Sequence, residues 1–296
     1  MAFNLATFRT RALTAVIFVI IMLVGLLWNQ WSFLLLFTII HFGCWWEYIK
    51  LVGLIDKEYG NISVFHKYGI MLLGYGLMVW FTSESYSLFG YALQDLGKLL
   101  FLIMIPVVII GDFIVVKPMN VKLFAHSLFG LIYISLSWGL MMHLRSAFVG
   151  FLNLGQGRID FGWVVPVAII FSIWINDTMA YIVGSFIGKT PFSKISPKKT
   201  WEGTLGGAIL CIVVIGLSGS YLHYGSIMQS YHWYSIAAIA AIFGTTGDLL
   251  ESKLKRLAGV KDSGALMPGH GGFLDRFDSL LLATPMVWLY VALFVQ

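Results

Sequence analysis

What most constrains this chain is a succession of apolar runs, each close to the length at which a helix crosses a bilayer. Nine can be read, at roughly 12–28, 32–49, 69–82, 98–116, 123–143, 161–187, 205–222, 233–250 and 279–295. About 20 apolar residues in a helix span the ~30 Å hydrocarbon layer, and only a helix or a closed barrel satisfies its own backbone there. The third run is short and interrupted by Gly69, Gly74 and Gly76, and the sixth is longer than an untilted crossing needs. Composition excludes the alternatives. With 59% hydrophobic and 11% charged residues, and a mean hydropathy of +0.85, there is too little polar surface to clothe a water-soluble globule or sustain disorder. The expected fold is an all-α integral membrane bundle of about nine transmembrane helices.

Charge distribution tests that count. With nine spans and the N-terminus inside, sixteen of the nineteen Lys and Arg fall on one side, leaving Lys98, Arg145 and Arg158 on the other. Such an asymmetry marks the cytoplasmic face, so the N-terminus is expected there, in a cytoplasmic (inner) membrane. The net charge of +5 then serves orientation and contact with anionic membrane lipid, and no nucleic-acid partner is expected. Arg9 and Arg11 precede the first run, but Asn29 and Gln30 follow it where a signal peptide would carry small residues, so it reads as a retained span. Cys44 and Cys211 lie inside apolar runs and read as small buried hydrophobes. No linker separates soluble parts, so residues 1–296 read as one polytopic domain. Residues 1–150 are mostly span and short loop, with packing, dimer or lipid contact as their expected roles. The polar chemistry gathers in 161–296, which reads as the catalytic half.

Two polar stretches stand on the expected cytoplasmic side. The first runs from Gly247 to Asp278, as GDLLESKLKRLAGVKDSGALMPGHGGFLDRFD. Asp248, Ser252 and Lys255 follow i, i+4, i+7 and share one face of a helix leaving the membrane. Asp275 and Asp278, three apart, share a face where the last span begins. Brought together, these faces would offer three carboxylates beside Lys255 and Arg256, an oxygen-only set suited to Mg²⁺ and phosphate. Gly269, Gly271 and Gly272 around His270 permit the close backbone approach of a phosphate cradle, or simply a turn between helices. For Glu251, Lys253 and Lys261 a solvated loop is an equally good reading. The second stretch runs from Asp177 to Gly203. Asp177, beside Asn176, is an acid inside an apolar span, where charge is costly unless paired or used. Ser196-Pro197 reads as an N-cap with proline at the first helical position, which would put Lys198 and Lys199 in a helical first turn, facing an anion. Gly184-x3-Gly188-Lys189-Thr190 has one residue too few between its glycines for a P-loop and follows an apolar helix rather than a strand. Glu47, Asp112, His41 and His126 read as interhelical hydrogen-bonding residues.

Ser252-x2-Lys255-Arg256-x4-Lys261-Asp262-x5-Pro268-Gly269-His270-Gly271-Gly272-x2-Asp275-Arg276-x-Asp278 resembles the signature of the phosphatidate cytidylyltransferase (CDP-diacylglycerol synthase) family. Asp177-x2-Ala180-Tyr181-x2-Gly184 and Ser196-Pro197-Lys198-Lys199-Thr200-x-Glu202-Gly203 are similar to the same family. The likeness covers the C-terminal 120 residues; before them the pattern of spans alone matches. The resemblance implies that CTP and phosphatidic acid give CDP-diacylglycerol and pyrophosphate at the cytoplasmic face. It also implies Mg²⁺, an optional monovalent cation such as K⁺, and a homodimer. Carried over, Asp248 and Asp275 would be metal ligands, Asp278 a supporting acid, and Ser252 and Lys255 would line the site. Lys198 or Lys199 would contact phosphate, joined at the CTP phosphates by Arg256, Lys261, His270, Gly271 and Gly272, with Asp177 and Glu202 behind them. A CTP-dependent polyprenol-type lipid kinase, or a secondary transporter coupled through Asp112 and Asp177, are the alternatives.

Overall fold

A computed structural model describes residues 5–115, 121–147, 160–221, 228–265 and 271–295, with side chains from residue 12 and, in the first stretch, to residue 111. The described chain is almost wholly helical. Its helices are α1 (Leu5–Leu27), α2 (Gln30–Ile55), α3 (Lys57–Gly60), α4 (Val64–Trp80), α5 (Leu93–Val115), α6 (Val121–Gly130) and α7 (Ser137–Ala147). These are followed by α8 (Val164–Ile187), α9 (Trp201–Tyr221), α10 (Ser230–Leu257) and α11 (Leu274–Phe294). A π-helical segment, Leu131–Leu136, joins α6 to α7, and a two-residue hairpin, β1 (Ser87–Leu88) with β2 (Tyr91–Ala92), precedes α5. Among the described residues, seven helical stretches are long and apolar enough to cross a membrane; Ala12–Leu27 is a shorter apolar helix and α4 has 17 residues. Each of the nine expected runs thus falls on a helix. This is an all-α, multi-pass membrane protein.

Two compact units divide the chain: Met1–Met142 with Leu254–Phe277, and His143–Lys253 with Asp278–Gln296. In the first, α2 is the central helix. Asn29 starts it with a capping box: its side chain accepts from Trp31 N at 2.8 Å and Ser32 N at 2.9 Å, while Ser32 Oγ accepts from Asn29 N at 3.1 Å. Phe33, Phe37, Trp45 and Tyr48 are buried along it, and it is 61% buried against 11% for α5, which is mostly exposed. Polar pairs link the helices inside this apolar packing. Ser135, in the π-helical segment, meets Trp45 Nε1 at 2.8 Å and His41 Nε2 at 3.0 Å, and His66 meets Ser127 at 2.7 Å. His126 faces Asp56 at 3.3 Å. His41 and His126 therefore serve as the expected helix-bridging groups; the side chain of Asp112 lies outside the described residues.

Small residues organise the second unit. Gly203 and Gly207 of α9 lie so close to Asn176, Ala180 and Gly184 of α8 that a Cβ at Gly207 would meet the Asn176 carbonyl at 2.6 Å. Helices in lipid gain their attraction from such close packing, because no hydrophobic effect drives them together there. Cys211, Ile215, Ala237 and Ala241 form a buried cluster between α9 and α10. Both cysteines are buried, as their apolar settings predicted.

Candidate active site

In the second unit the site begins with helix approach. Gly247 of α10 packs onto the α11 backbone; a Cβ there would lie 2.5 Å from the Asp278 carbonyl oxygen and 3.1 Å from Ser279 Cα. The next residue on α10 is Asp248, and the close crossing brings its carboxylate within hydrogen-bonding reach of the Asp278 carboxylate. Asp278 is 7% exposed, accepts from Ser279 N at 2.6 Å, and also feels the charge of buried Glu251. Lys199 is ion-paired with Asp248 and attracts Asp177, whose carboxylate feels Asp248 as well. Asn176 Nδ2 donates to Asp177 at 3.3 Å and to Thr245 at 3.4 Å, so the intramembrane acid is tied to α10. Lys199 thus offsets Asp248 and Asp177, while Asp278 has acidic neighbours in Asp248 and Glu251. Two carboxylates in hydrogen-bonding contact repel unless they share a proton or a cation.

Lys199 reaches this cluster from a turn, which corrects the expectation of a helical first turn at Lys198 and Lys199. Lys199 N bonds Ser196 O at 3.1 Å, Phe192 N bonds Lys199 O at 2.7 Å, and Trp201 N bonds Thr190 O at 2.9 Å. These bonds commit the backbone to a looped-back turn, and α9 starts only at Trp201. Its cap is Thr200, whose Oγ1 accepts from Gly203 N at 3.1 Å. Glu202, in the first turn of α9, accepts from Lys189 N and Thr190 N at 3.2 Å and so latches the start of the turn. Lys198 is exposed. Gly188 is the C-cap of α8, which confirms that no strand-led P-loop exists here.

The first unit holds a separate cluster around Asp275. This carboxylate, in the first turn of α11, is filled by donors: Lys255 Nζ at 2.6 Å to Oδ1, and Ser263 N at 2.8 Å, Ser263 Oγ at 2.9 Å and Gly272 N at 2.8 Å to Oδ2. The Lys255 and Asp275 side chains are 12% and 8% exposed. Removing one partner of so buried a pair typically costs about 3–5 kcal/mol. Gly271, with φ of 81°, adopts the left-handed backbone that glycine tolerates. Lys261 and Arg256 are exposed, Arg256 reaching Val260 O at 3.4 Å, and Ser252 is half-buried on the same α10 face as Asp248. His270 lies outside the described residues.

The sequence reading passed over Glu47 as a helix-bridging residue. It stands on α2 at 5% exposure, accepting from Ser263 Oγ at 2.8 Å and from Leu274 N at 2.9 Å. The signal available was an acid inside an apolar run, as for Asp177; Ser263 itself gave none.

A metal can be tested against the donors present. Among the described residues, no group of three or more His, Cys, Asp or Glu side chains converges as a ready-made metal site. Asp248 and Asp278 nevertheless supply two carboxylates in contact near the end of a span, an oxygen set that fits a hard divalent cation completed by substrate oxygens.

Comparison with known sequences decides the lineage. The model of the cytidylyltransferase family matches residues 9–294, nearly the whole chain. This chain belongs to the cytidylyltransferase family. A cytidylyltransferase relative from Synechocystis sp., named phosphatidate cytidylyltransferase, is 42% identical over 139 residues, covering 45% of this chain and 44% of its own. One from Helicobacter pylori with the same name is 41% identical over 133 residues, 45% of this chain and 49% of that protein. The chloroplastic phosphatidate cytidylyltransferase 4 of Arabidopsis thaliana is 40% identical over 138 residues, 46% of this chain and 34% of the relative. The chain therefore spans from a third to about half the length of these relatives.

Proposed function

We propose that this protein is a nucleotidyltransferase that moves the cytidylyl group of CTP onto phosphatidic acid, giving CDP-diacylglycerol and pyrophosphate. The observation that carries the reading is the contact of Asp248 with Asp278 beside Lys199, near the ends of membrane helices in a member of the cytidylyltransferase family. The names of its relatives supply the substrates. A lipid phosphate presented at the membrane surface meets such groups without leaving the bilayer.

The reaction needs little from the protein beyond alignment and charge. A phosphatidate oxygen, already ionised near neutral pH, attacks the α-phosphorus of CTP; the new P–O bond forms as the bond to the β-phosphate oxygen breaks, and pyrophosphate leaves. No general base is required. The obstacle is repulsion between two polyanions, so positioning and positive charge lower the barrier. Lys199 exchanges its contact with Asp248 for phosphate oxygens; in its own unit Lys255, aimed by Asp275, is a further cation suited to phosphate. Lys198, Arg256, Lys261, His270, Gly271 and Gly272 are the further phosphate-binding residues that the family resemblance implies, and Ser252 lies on the same helix face as Asp248. Mg²⁺, held by Asp248 and Asp278, would supply charge neutralisation on the phosphates. For Asp275 to act as a ligand, as the resemblance implied, a cation must displace Lys255 from Oδ1. A monovalent cation such as K⁺, a homodimeric assembly, an inner-membrane location and a cytoplasmic site complete the proposal, the last supported by the asymmetry of basic residues.

The test is product analysis with purified protein in detergent, supplied with CTP, phosphatidate and Mg²⁺. Pyrophosphate and CDP-diacylglycerol in equal amounts are expected. Release of CDP with a doubly phosphorylated lipid would replace this reading by the lipid-kinase one.

A further inference from the structure

A buried carboxylate must be repaid by hydrogen bonds or by positive charge, or it loses its proton-free form. Glu47 is repaid by the segment that follows α10. Ser263 Oγ lies 2.8 Å from its Oε2, and Leu274 N, the first helical N–H of α11, donates to the same oxygen at 2.9 Å. The start of a helix carries unpaired N–H groups and a partial positive charge, so an anion is well placed there. α11 has its anion delivered from α2, 227 residues away in sequence. Gly264 and Gly272 both abut the Glu47 carboxylate with no room for a Cβ.

The contact does not stop at Glu47. Ser263 Oγ is also 2.9 Å from Asp275 Oδ2 and accepts from Asp275 N at 3.3 Å. One hydroxyl, with a single proton, thus stands between two carboxylates. Asp275 in turn holds Lys255 at 2.6 Å. We infer that Glu47 is a positioning residue: through Ser263 and the first turn of α11 it sets the Asp275 carboxylate that aims Lys255. The catalytic consequence rests on the function proposed above; the clamp itself does not. A helix assigned by sequence to packing thereby reaches the chemistry.

Three variants test this, Glu47→Ala, Glu47→Gln and Ser263→Ala, each read by amide hydrogen exchange and by kinetics. Glutamine keeps an acceptor oxygen for Ser263 Oγ and Leu274 N, so Glu47→Gln should stay within about threefold of wild type in kcat and CTP KM, with protection retained. Glu47→Ala and Ser263→Ala should lose protection at Ser263, Gly272, Leu274 and Asp275 while exchange elsewhere in α2 and α11 is unchanged. Both should lower kcat/KM about tenfold or more, because small misplacements of aligning groups are costly. If Glu47→Ala does not fold, Ser263→Ala and Glu47→Gln decide. Unchanged exchange at those four amides in Ser263→Ala overturns the clamp, and local loss of protection with unchanged kcat and KM overturns the positioning role. Wild-type protein that forms no CDP-diacylglycerol would overturn the proposed function instead, and the exchange pattern would still decide whether Glu47 clamps the segment.

Discussion

Gly247→Ala adds one methyl group where the structure has no space for it. The new Cβ would stand 2.5 Å from the Asp278 carbonyl oxygen, 3.1 Å from Ser279 Cα and 3.2 Å from Leu282 Cβ. Two of these neighbours are backbone, so neither can rotate away. Restoring ordinary contact at the carbonyl requires α10 and α11 to separate by roughly 1 Å, and overpacking of this kind costs about 1–3 kcal/mol. Alanine returns up to about 1 kcal/mol through its better helix propensity, so net destabilisation should be small. The site should suffer more than the fold. Asp248 and Asp278 meet because these helices touch at Gly247, and a displacement of about 1 Å in aligned groups can cost on the order of 100-fold in rate. Gly244→Ala is the control. It lies one turn earlier on the same helix, but its Cβ would meet Ile173 Cγ1 at 3.3 Å and Ser279 Cβ at 3.6 Å, side-chain atoms that can yield. Pyrophosphate release by both variants, alongside their melting temperatures, provides the assay. Turnover should fall about 10- to 100-fold in Gly247→Ala and stay within about threefold of wild type in Gly244→Ala. Normal turnover in the first, or equal loss in both, would refute the argument that helix approach at Gly247 assembles the carboxylate pair.

Other changes probe the charges directly. Asp248→Asn and Asp278→Asn should each lower turnover by two or more decades and shift the Mg²⁺ titration to higher concentration, since a divalent cation contributes several kcal/mol of charge stabilisation; near-normal turnover with an unchanged titration would exclude that residue as a ligand. Lys199→Ala should raise the CTP KM or lower kcat far more than Lys198→Ala, because Lys199 touches Asp248 whereas Lys198 is exposed; equal effects would reduce both to topology signals. Single cysteines at Asp262 and Glu84, both exposed, should label from opposite sides of oriented vesicles if the basic asymmetry reports orientation. Burial alone would raise the pKa of Asp160, but the Arg145 guanidinium and the Gly162 N–H more than offset it and hold the carboxyl below its ordinary range. A depressed folded pKa contributes stability above the unfolded pKa that is lost as pH falls through the folded value. Asp160→Asn should therefore flatten the melting-temperature profile below about pH 4; an unchanged profile would show that this pair does not contribute.

Hydrophobic length and helical spacing were legible because they depend on local rules. Each apolar run became a helix, and Asp248, Ser252 and Lys255 ride one continuous α10, since a period of 3.6 is a property of the backbone. Lys198 and Lys199 were misread for an equally local reason. Ser-Pro is a good helix start in isolation, but here the hydrogen bonds of Phe192 and Trp201 hold the backbone in a turn, and Thr200 takes the cap. Glu47 was illegible in its role because its partners are more than two hundred residues away, and nothing in its own neighbourhood distinguishes a clamp from a helix-bridging acid. The i, i+3 spacing of Asp275 and Asp278 puts them on one helix face, but it does not tell what each carboxylate meets. Asp275 meets three N–H donors and shares the Ser263 hydroxyl with Glu47, while Asp278 abuts another carboxylate.

That difference divides the signature by chemistry as well as by position. Leu254–Phe277 belongs with the N-terminal helices, whereas Asp248, Glu251 and Asp278 belong with α8 and α9. A carboxylate surrounded by N–H and O–H donors is held in a fixed orientation, and Asp275 in turn fixes the geometry of Lys255. A carboxylate in hydrogen-bonding contact with another carboxylate is different: only a shared proton or a nearby cation such as Lys199 relieves their repulsion. The same acid type, one helical turn apart, therefore meets donors in one place and another carboxylate in the other. Substitution by asparagine should separate them. At Asp278 it relieves repulsion and so leaves or raises stability while removing a cation donor. At Asp275 it strands Lys255 and loosens the segment held by Glu47, so stability and activity fall together.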